Sequence, residues 1–152
     1  MEIERKFLVN ALPPCSMASP HSRIRQGYFA LRQSGIEIRI REIDSKQFIT
    51  IKSGRGKVRR EEEIPILKRH FTALWPLVRA ASISKIRYRI SHGKQTVEVD
   101  AYQGPHRGLI TAEVEFASRR QADSFKQPAW FGREITGVRR YANEFLARRG
   151  HL

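Results

Sequence analysis

The chain has 152 residues, which is close to the usual length of one domain, so the sequence predicts a single domain over residues 1–152. Hydrophobic residues make up 40% and charged residues 29%, which excludes a disordered tail and a bundle of membrane-spanning helices. With 29 Lys and Arg against 15 Asp and Glu, the formal charge of +14 favours polyanionic ligands: nucleic acid, anionic lipid or polyphosphate. The single Cys15 and a charged N-terminal sequence unlike a signal peptide favour a cytoplasmic location.

Most of the chain is predicted to form β-strands, because apolar and polar residues alternate between clusters of turn residues. In chain order, eight strands are expected at about 2–9, 22–31, 36–43, 46–53, 57–66, 83–92, 94–102 and 109–117. The Pro- and Ser-rich stretch over 13–20 is expected to be a loop.

Three helices are predicted to accompany the strands. One covers about 68–81, and Pro76 is expected to bend or split it. A second begins after Ser118, where Gln121 completes a capping box. The third carries an apolar stripe from Val138 to Leu146, with Thr136 as its cap.

Charged residues of one set occur on seven of these strands, at every second position on six of them and as Lys52 alone on the seventh. Because side chains alternate between the two faces of a strand, such residues share one face. Six are cationic and eight acidic: Lys6, Arg39, Arg41, Lys52, Lys85 and Arg87, and Glu2, Glu4, Glu61, Glu63, Glu98, Asp100, Glu113 and Glu115. A solvated sheet face would account for any one pair, but the same spacing on six strands favours a common ligand.

The mixture of charges limits the chemistry of that ligand. If the strands close into a barrel with this face inward, eight strands leave room for one small ligand. Buried ions need partners or water, so the interior must be wet, internally paired or occupied by a charged group. Clustered carboxylates suit Mg²⁺ or Mn²⁺, and rows of Arg and Lys suit phosphate oxygens, so a metal-bound polyphosphate satisfies both sets.

The same residues resemble the CYTH domain family, also called the triphosphate tunnel metalloenzymes. Glu2-Ile3-Glu4-Arg5-Lys6 is similar to the Glu-x-Glu-x-Lys signature of this family. Further matches follow in order: Gln26-Gly27-Tyr28, Arg39-Ile40-Arg41, Thr50-Ile51-Lys52, Glu61-Glu62-Glu63-Ile64-Pro65, Lys85-Ile86-Arg87, Val97-Glu98-Val99-Asp100 and Ala112-Glu113-Val114-Glu115. The resemblance covers nearly the whole chain.

The resemblance implies an α+β fold, an eight-stranded antiparallel β-barrel that forms a triphosphate tunnel, with flanking helices and a C-terminal helix. It implies a homodimer, a triphosphate substrate and Mg²⁺ or Mn²⁺ as cofactor. By position, the metal ligands would be Glu2, Glu4, Glu113 and Glu115. Phosphate would be held by Lys6, Arg39, Arg41, Lys52, Lys85 and Arg87. A second metal or the attacking water would be held by Glu61, Glu63, Glu98 and Asp100.

The last helix departs from the family pattern. Many members have an acidic residue near its start and a basic residue between its Tyr and Asn. This chain has Val138 and Arg139 in the first region, and Ala142 follows Tyr141. Arg139 or Arg140 is the expected replacement for the missing basic residue.

The expected activity is metal-dependent hydrolysis of a terminal phosphoanhydride, with inorganic tripolyphosphate as the first substrate. Adenylate cyclase and thiamine triphosphatase activities use the same kind of tunnel and stay open as alternatives. A nucleic-acid-binding protein is the alternative of another class, suggested by the net charge and by three Arg pairs. The strands carry many acids on the charged face, so no specific nucleic acid and no membrane partner are expected.

Overall fold

A computed structural model describes residues 3–31, 35–53 and 60–149. The strands are β1 (Ile3–Leu8), β2 (His21–Tyr28), β3 (Ile36–Ile43), β4 (Lys46–Ser53), β5 (Arg60–Ile66), β6 (Ser82–His92), β7 (Gln95–Tyr102) and β8 (Ile110–Phe116). The α-helices are α1 (Lys68–Val78), α2 (Arg119–Ser124) and α3 (Asn143–Arg149). Short 3₁₀ helices cover Pro14–Ala18, Arg79–Ala81, Gly104–His106 and Arg139–Tyr141. Position 2 and positions 57–59 of the predicted strands lie outside the described residues.

The eight strands form one antiparallel sheet in the order β1-β8-β7-β6-β2-β3-β4-β5. The predicted α+β class and the eight antiparallel strands are therefore confirmed. Hydrogen bonding does not close this sheet within the described residues, because β1 and β5 are its two edges. β5 has the features of an edge strand, since it contains Pro65 and most of its residues are exposed.

The outer edge of β1 is covered by a later part of the chain. The amides of Gly132 and Ile135 donate to the carbonyls of Leu8 and Lys6, and Phe7 forms a β-bridge with Glu134. This pairing satisfies backbone groups at the edge of β1. The sequence over 132–136 does not alternate like a strand, so sequence analysis did not predict the pairing.

Helices pack on both faces of the sheet. Phe71 and Val78 of α1 pack against Ile40 on the outer face, and β2 comes so close to α1 that a Cβ at Gly27 would lie 2.5 Å from Cγ2 of Val78. Leu146 of α3 packs instead against Tyr28, Ile83 and Tyr102, whose side chains belong to the charged face. The C-terminal helix therefore occupies part of the concave side of the sheet.

Two details of the helices differ from expectation. Pro76 does not split α1; it lies in the last turn, and the helix ends two residues later at Val78. The predicted C-terminal helix is interrupted, because Ala142 is extended between the 3₁₀ turn and α3. Thr136 caps neither, so that prediction is wrong: its hydroxyl accepts from the Lys6 amide and donates to Glu134. None of the helices in the described ranges is long and apolar enough to cross a membrane.

Candidate functional site

Strand pairing brings the alternating charges of neighbouring strands together. Lys6 lies opposite Glu113, and Glu113 lies opposite Glu98 on the next strand. On the other half of the sheet, Lys52 lies opposite Glu61. Directly opposed residues in a sheet project from the same face, so the two halves present one continuous charged face.

This face surrounds a cavity of about 420 Å³, within the roughly 300–1,000 Å³ range of small-molecule sites. All six predicted phosphate-binding residues line it: Lys6, Arg39, Arg41, Lys52, Lys85 and Arg87. The predicted acidic residues that line it are Glu4, Glu61, Glu98, Glu113 and Glu115. Glu63 and Asp100 do not line the cavity but pair with residues that do. Glu2 lies outside the described residues.

The two most buried charges of the site, Lys85 and Asp100, form a cluster with Arg87. Lys85 Nζ lies 2.7 Å from Asp100 Oδ2, and Arg87 donates from Nε at 2.8 Å and from Nη2 at 2.9 Å. Burial opposes ionisation of Asp100, but Lys85 and Arg87 outweigh it and hold the pKa of Asp100 well below its usual value. Burial lowers the pKa of Lys85 to about 8, although Asp100 acts in the opposite direction.

Other cations of the cavity also have acidic partners. Arg41 Nη2 lies 3.0 Å from Glu63, Lys52 lies 3.4 Å from Glu61, and Lys6 lies 3.9 Å from Glu113. Arg87 contacts Glu98 as well as Asp100. These pairs reduce the repulsion between the like charges on the concave face of the sheet.

Arg39 and Arg41 nevertheless retain unused hydrogen-bonding capacity. The buried Nε atoms of both have no hydrogen-bond partner in the described part of the chain, and Arg39 is only 8% exposed. Burial and the neighbouring Arg39 charge lower the pKa of Arg41. Tyr28 helps to position Arg39, because its hydroxyl accepts a hydrogen bond from Gln26 at 2.7 Å and also contacts Arg39. Unsatisfied buried guanidinium groups favour an anionic ligand.

The carboxylates of β1 and β8 are suited to a hard divalent cation. Glu4 lies opposite Glu115 in the strand pairing, and the Glu4 and Glu113 carboxyl groups are hydrogen-bonded to each other. Burial acts to raise the pKa of Glu113, but this hydrogen bond and the nearby cations, Lys6 foremost, lower it. No group of three or more His, Cys, Asp or Glu in the described ranges already has the spacing of a metal site. Adjacent oxygen donors of this kind fit hard divalent cations.

Four lining residues do not belong to the predicted site: Tyr28, Glu37, Asn143 and Glu144. Ala142, which replaces the basic residue of the family pattern, also lines the cavity. Glu37 had a detectable signal, because it lies two residues before Arg39 and so shares its face. The α3 residues had none, since nothing local shows that this helix enters the concave side. Neither expected replacement lines the cavity: Arg140 donates to the Tyr141 hydroxyl, and Arg139 lies over the Phe145 ring.

A concave antiparallel sheet that lines a cavity with rows of cations and a group of carboxylates is the site of a protein that binds polyanions together with divalent cations. The CYTH domain model matches residues 1–148. The chain therefore belongs to the CYTH domain family.

Relatives with known names are similar over nearly their full length. An inorganic triphosphatase of Nitrosomonas europaea is 40% identical over 149 residues, which cover 96% of each chain. An inorganic triphosphatase of Acetivibrio thermocellus is 34% identical over 150 residues, covering 97% of this chain and 93% of the relative. The crystal structure of the inorganic triphosphatase NE1496 superimposes with a TM-score of 0.78 at 37% identity, covering 97% of this chain and 95% of that one.

Proposed function

We propose that this protein is a divalent-metal-dependent hydrolase that cleaves the terminal phosphoanhydride of inorganic tripolyphosphate. The observation that carries the proposal is the cavity itself, where six cationic side chains surround a space next to a group of carboxylates. The two curated relatives named inorganic triphosphatase support the choice of substrate.

The phosphate chain would be held by the cationic residues. Phosphoryl transfer requires mainly that the protein position the phosphates and stabilise charge on the transferred group. Arg39, Arg41 and Arg87 can donate to two phosphate oxygens each, whereas Lys6, Lys52 and Lys85 act as point charges. Because Arg39 and Arg41 have unused buried donors, they offer the phosphates contacts that need no prior release of a carboxylate.

The metal would be held by Glu4, Glu113 and Glu115, with Glu2 as a further ligand by its place in the signature motif. When bound, the cation supplies charge neutralisation on the phosphate oxygens and a Lewis acid next to the scissile bond. Glu4 and Glu115 are exposed, so a hydrated cation can reach them from solvent.

The remaining acids divide into two roles in this proposal. Glu61 and Glu98 line the cavity and can orient the attacking water or accept its proton. Glu63 and Asp100 act through the cations they hold, Glu63 through Arg41 and Asp100 through Lys85 and Arg87. Asp100 is therefore a positioning residue rather than a group that touches substrate.

Phosphate release from a substrate panel tests the proposal directly. Tripolyphosphate, pyrophosphate, ATP and thiamine triphosphate are each incubated with the protein and Mg²⁺ or Mn²⁺, and cyclic AMP is measured in the ATP samples. We expect tripolyphosphate to give the highest kcat/KM and chelation of the metal to stop the reaction. Cyclic AMP as the main product, or equal rates in the chelator, would contradict the proposal.

Three finer features complete the proposal. Mg²⁺ or Mn²⁺ is preferred because the described residues that line the cavity offer carboxylates and include neither Cys nor His. The proposal also includes the homodimer implied by the family resemblance and the cytoplasmic location suggested by Cys15. Sedimentation of the purified protein tests the dimer.

A further inference from the structure

Two acidic residues meet on the α3 side of the cavity, away from the proposed metal ligands. Glu37 projects from β3 and Glu144 from α3, both line the cavity, and their carboxyl groups are hydrogen-bonded to each other. Burial and this contact with Glu144 raise the pKa of Glu37, against the attraction of Arg39 and Lys52. An acidic pair therefore lies next to the cationic residues that are proposed to hold the phosphates.

A second cavity of about 250 Å³ adjoins the first at Glu144, the α3 member of this acidic pair. Ala142 and Glu144 line both cavities, and the second is otherwise lined by Arg139, Phe145, Arg148 and Arg149. The small Ala142 side chain leaves Glu144 as the charged residue at the boundary. We refer to the second cavity as the arginine pocket.

The arginine pocket is basic and only partly neutralised. Arg148 Nε lies 3.1 Å from Glu144 and its Nη2 donates to the Phe29 carbonyl at 3.1 Å. The guanidinium groups of Arg139 and Arg149 lie over the Phe145 ring at 5.9 and 5.1 Å. Within the described residues, neither has a carboxylate partner within 4.0 Å. Such a pocket would attract phosphate groups if they could reach it.

We propose that Glu37 and Glu144 set the length of phosphate chain that the cavity accepts, by excluding linear polyphosphates longer than tripolyphosphate from the arginine pocket. This inference depends on the proposed function, because it concerns the same cavity and the same class of substrate. Each further phosphate unit brings another negative charge, which would have to lie against two carboxyl groups. Repulsion of one ligand is as effective for specificity as attraction of another.

The proposal also assigns a role to the Glu144–Arg148 ion pair. While Glu144 pairs with Arg148, the Arg148 guanidinium is not available to phosphate, and the Glu144 side chain stays between the two cavities. Replacing Glu144 by Gln removes the negative charge and frees Arg148 at the same time. This one substitution should therefore weaken the repulsion of phosphate between the two cavities and increase the free positive charge of the arginine pocket.

Binding and hydrolysis of two chain lengths test the proposal. Affinities for tripolyphosphate and tetrapolyphosphate are measured by calorimetry without divalent metal, so that no turnover occurs, and kcat/KM is measured for both with metal. The variants are Glu37→Gln and Glu144→Gln, on different elements, with Glu62→Gln on the exposed outer face of β5 as the matched control. Thermal unfolding verifies that each variant is folded.

We expect the preference for tripolyphosphate over tetrapolyphosphate to fall by about tenfold in each Gln variant and to be unchanged in Glu62→Gln. In the Glu144→Gln background, Arg139→Gln should remove most of the gain for the longer chain. An unchanged preference in both variants, or a wild-type protein that binds both chains equally, would overturn the proposal. If the binding preference shifts but the wild type hydrolyses neither chain, the proposed function fails and the chain-length boundary stands.

Discussion

Lys85, which lines the cavity, and Asp100 form a buried ion pair, with 2.7 Å between Nζ and Oδ2. Asp100 also accepts two hydrogen bonds from Arg87, so one carboxylate fixes two of the proposed phosphate ligands. Removing one partner of a buried ion pair is strongly destabilising, because the other charge is left without compensation.

Asp100→Asn should therefore damage both stability and substrate binding. We expect the free energy of unfolding to fall by about 3 kcal/mol and KM for tripolyphosphate to rise more than kcat falls. Urea unfolding and steady-state kinetics measure these effects. Asp123→Asn, at an exposed position of α2, is the control. Unchanged stability in Asp100→Asn would show that the pair is not structurally important.

The lowered pKa of Lys85 predicts a pH dependence. With a pKa of about 8, Lys85 is charged below that pH and attracts phosphate, and it loses its charge as the pH rises further. We expect kcat/KM, which reports groups of the free enzyme, to fall as the pH rises through about 8. Lys85→Arg should shift this fall to higher pH, because Arg keeps its charge. Identical profiles for the two proteins would contradict the assignment.

Glu4→Gln tests the proposed metal ligands. The substitution keeps the size of the side chain but removes a negative charge from the carboxylates of β1 and β8. We expect Mn²⁺ affinity, measured by calorimetry without substrate, to fall by more than about 100-fold, and tripolyphosphate hydrolysis to be lost. Glu62→Gln should leave both unchanged. A Glu4→Gln protein with full activity would show that the metal is held elsewhere.

Gly27→Ala tests the contact between β2 and α1. The added Cβ would lie 2.5 Å from Cγ2 and 2.8 Å from Cβ of Val78, so one element must move. We expect a loss of about 1–3 kcal/mol in the free energy of unfolding. The double variant Gly27→Ala, Val78→Ala should be more stable than the sum of the single effects predicts, because the shortest contact, with Cγ2, is removed while the contact with Cβ of residue 78 stays. Strict additivity would contradict this account.

The concave face could be predicted from sequence because strand alternation is a local property. Arg39 and Arg41, or Lys85 and Arg87, must share a face whatever the rest of the fold does. The same rule extended by two residues would have found Glu37. The alternating pattern therefore predicted which kinds of residue line the cavity better than it predicted how far the lining extends.

Long-range contacts account for what the sequence did not predict. The pairing of β1 with the segment around Glu134 depends on backbone hydrogen bonds between positions more than a hundred residues apart, which alternation does not report. The entry of α3 into the concave side depends on how Leu146 packs against Tyr102. Asp100 follows the pattern of a lining residue, but the long side chains of Lys85 and Arg87 lie between it and the cavity.

The internal ion pairs mean that the cavity supplies its own counterions. Phosphates that approach Lys6 or Lys52 compete with Glu113 or Glu61, and each displaced carboxylate then needs a new positive neighbour. A divalent cation meets that need, and a carboxylate released from its cationic partner binds the cation more readily. Anion and cation should consequently assist each other's entry, and by thermodynamic linkage the benefit must be equal in both directions.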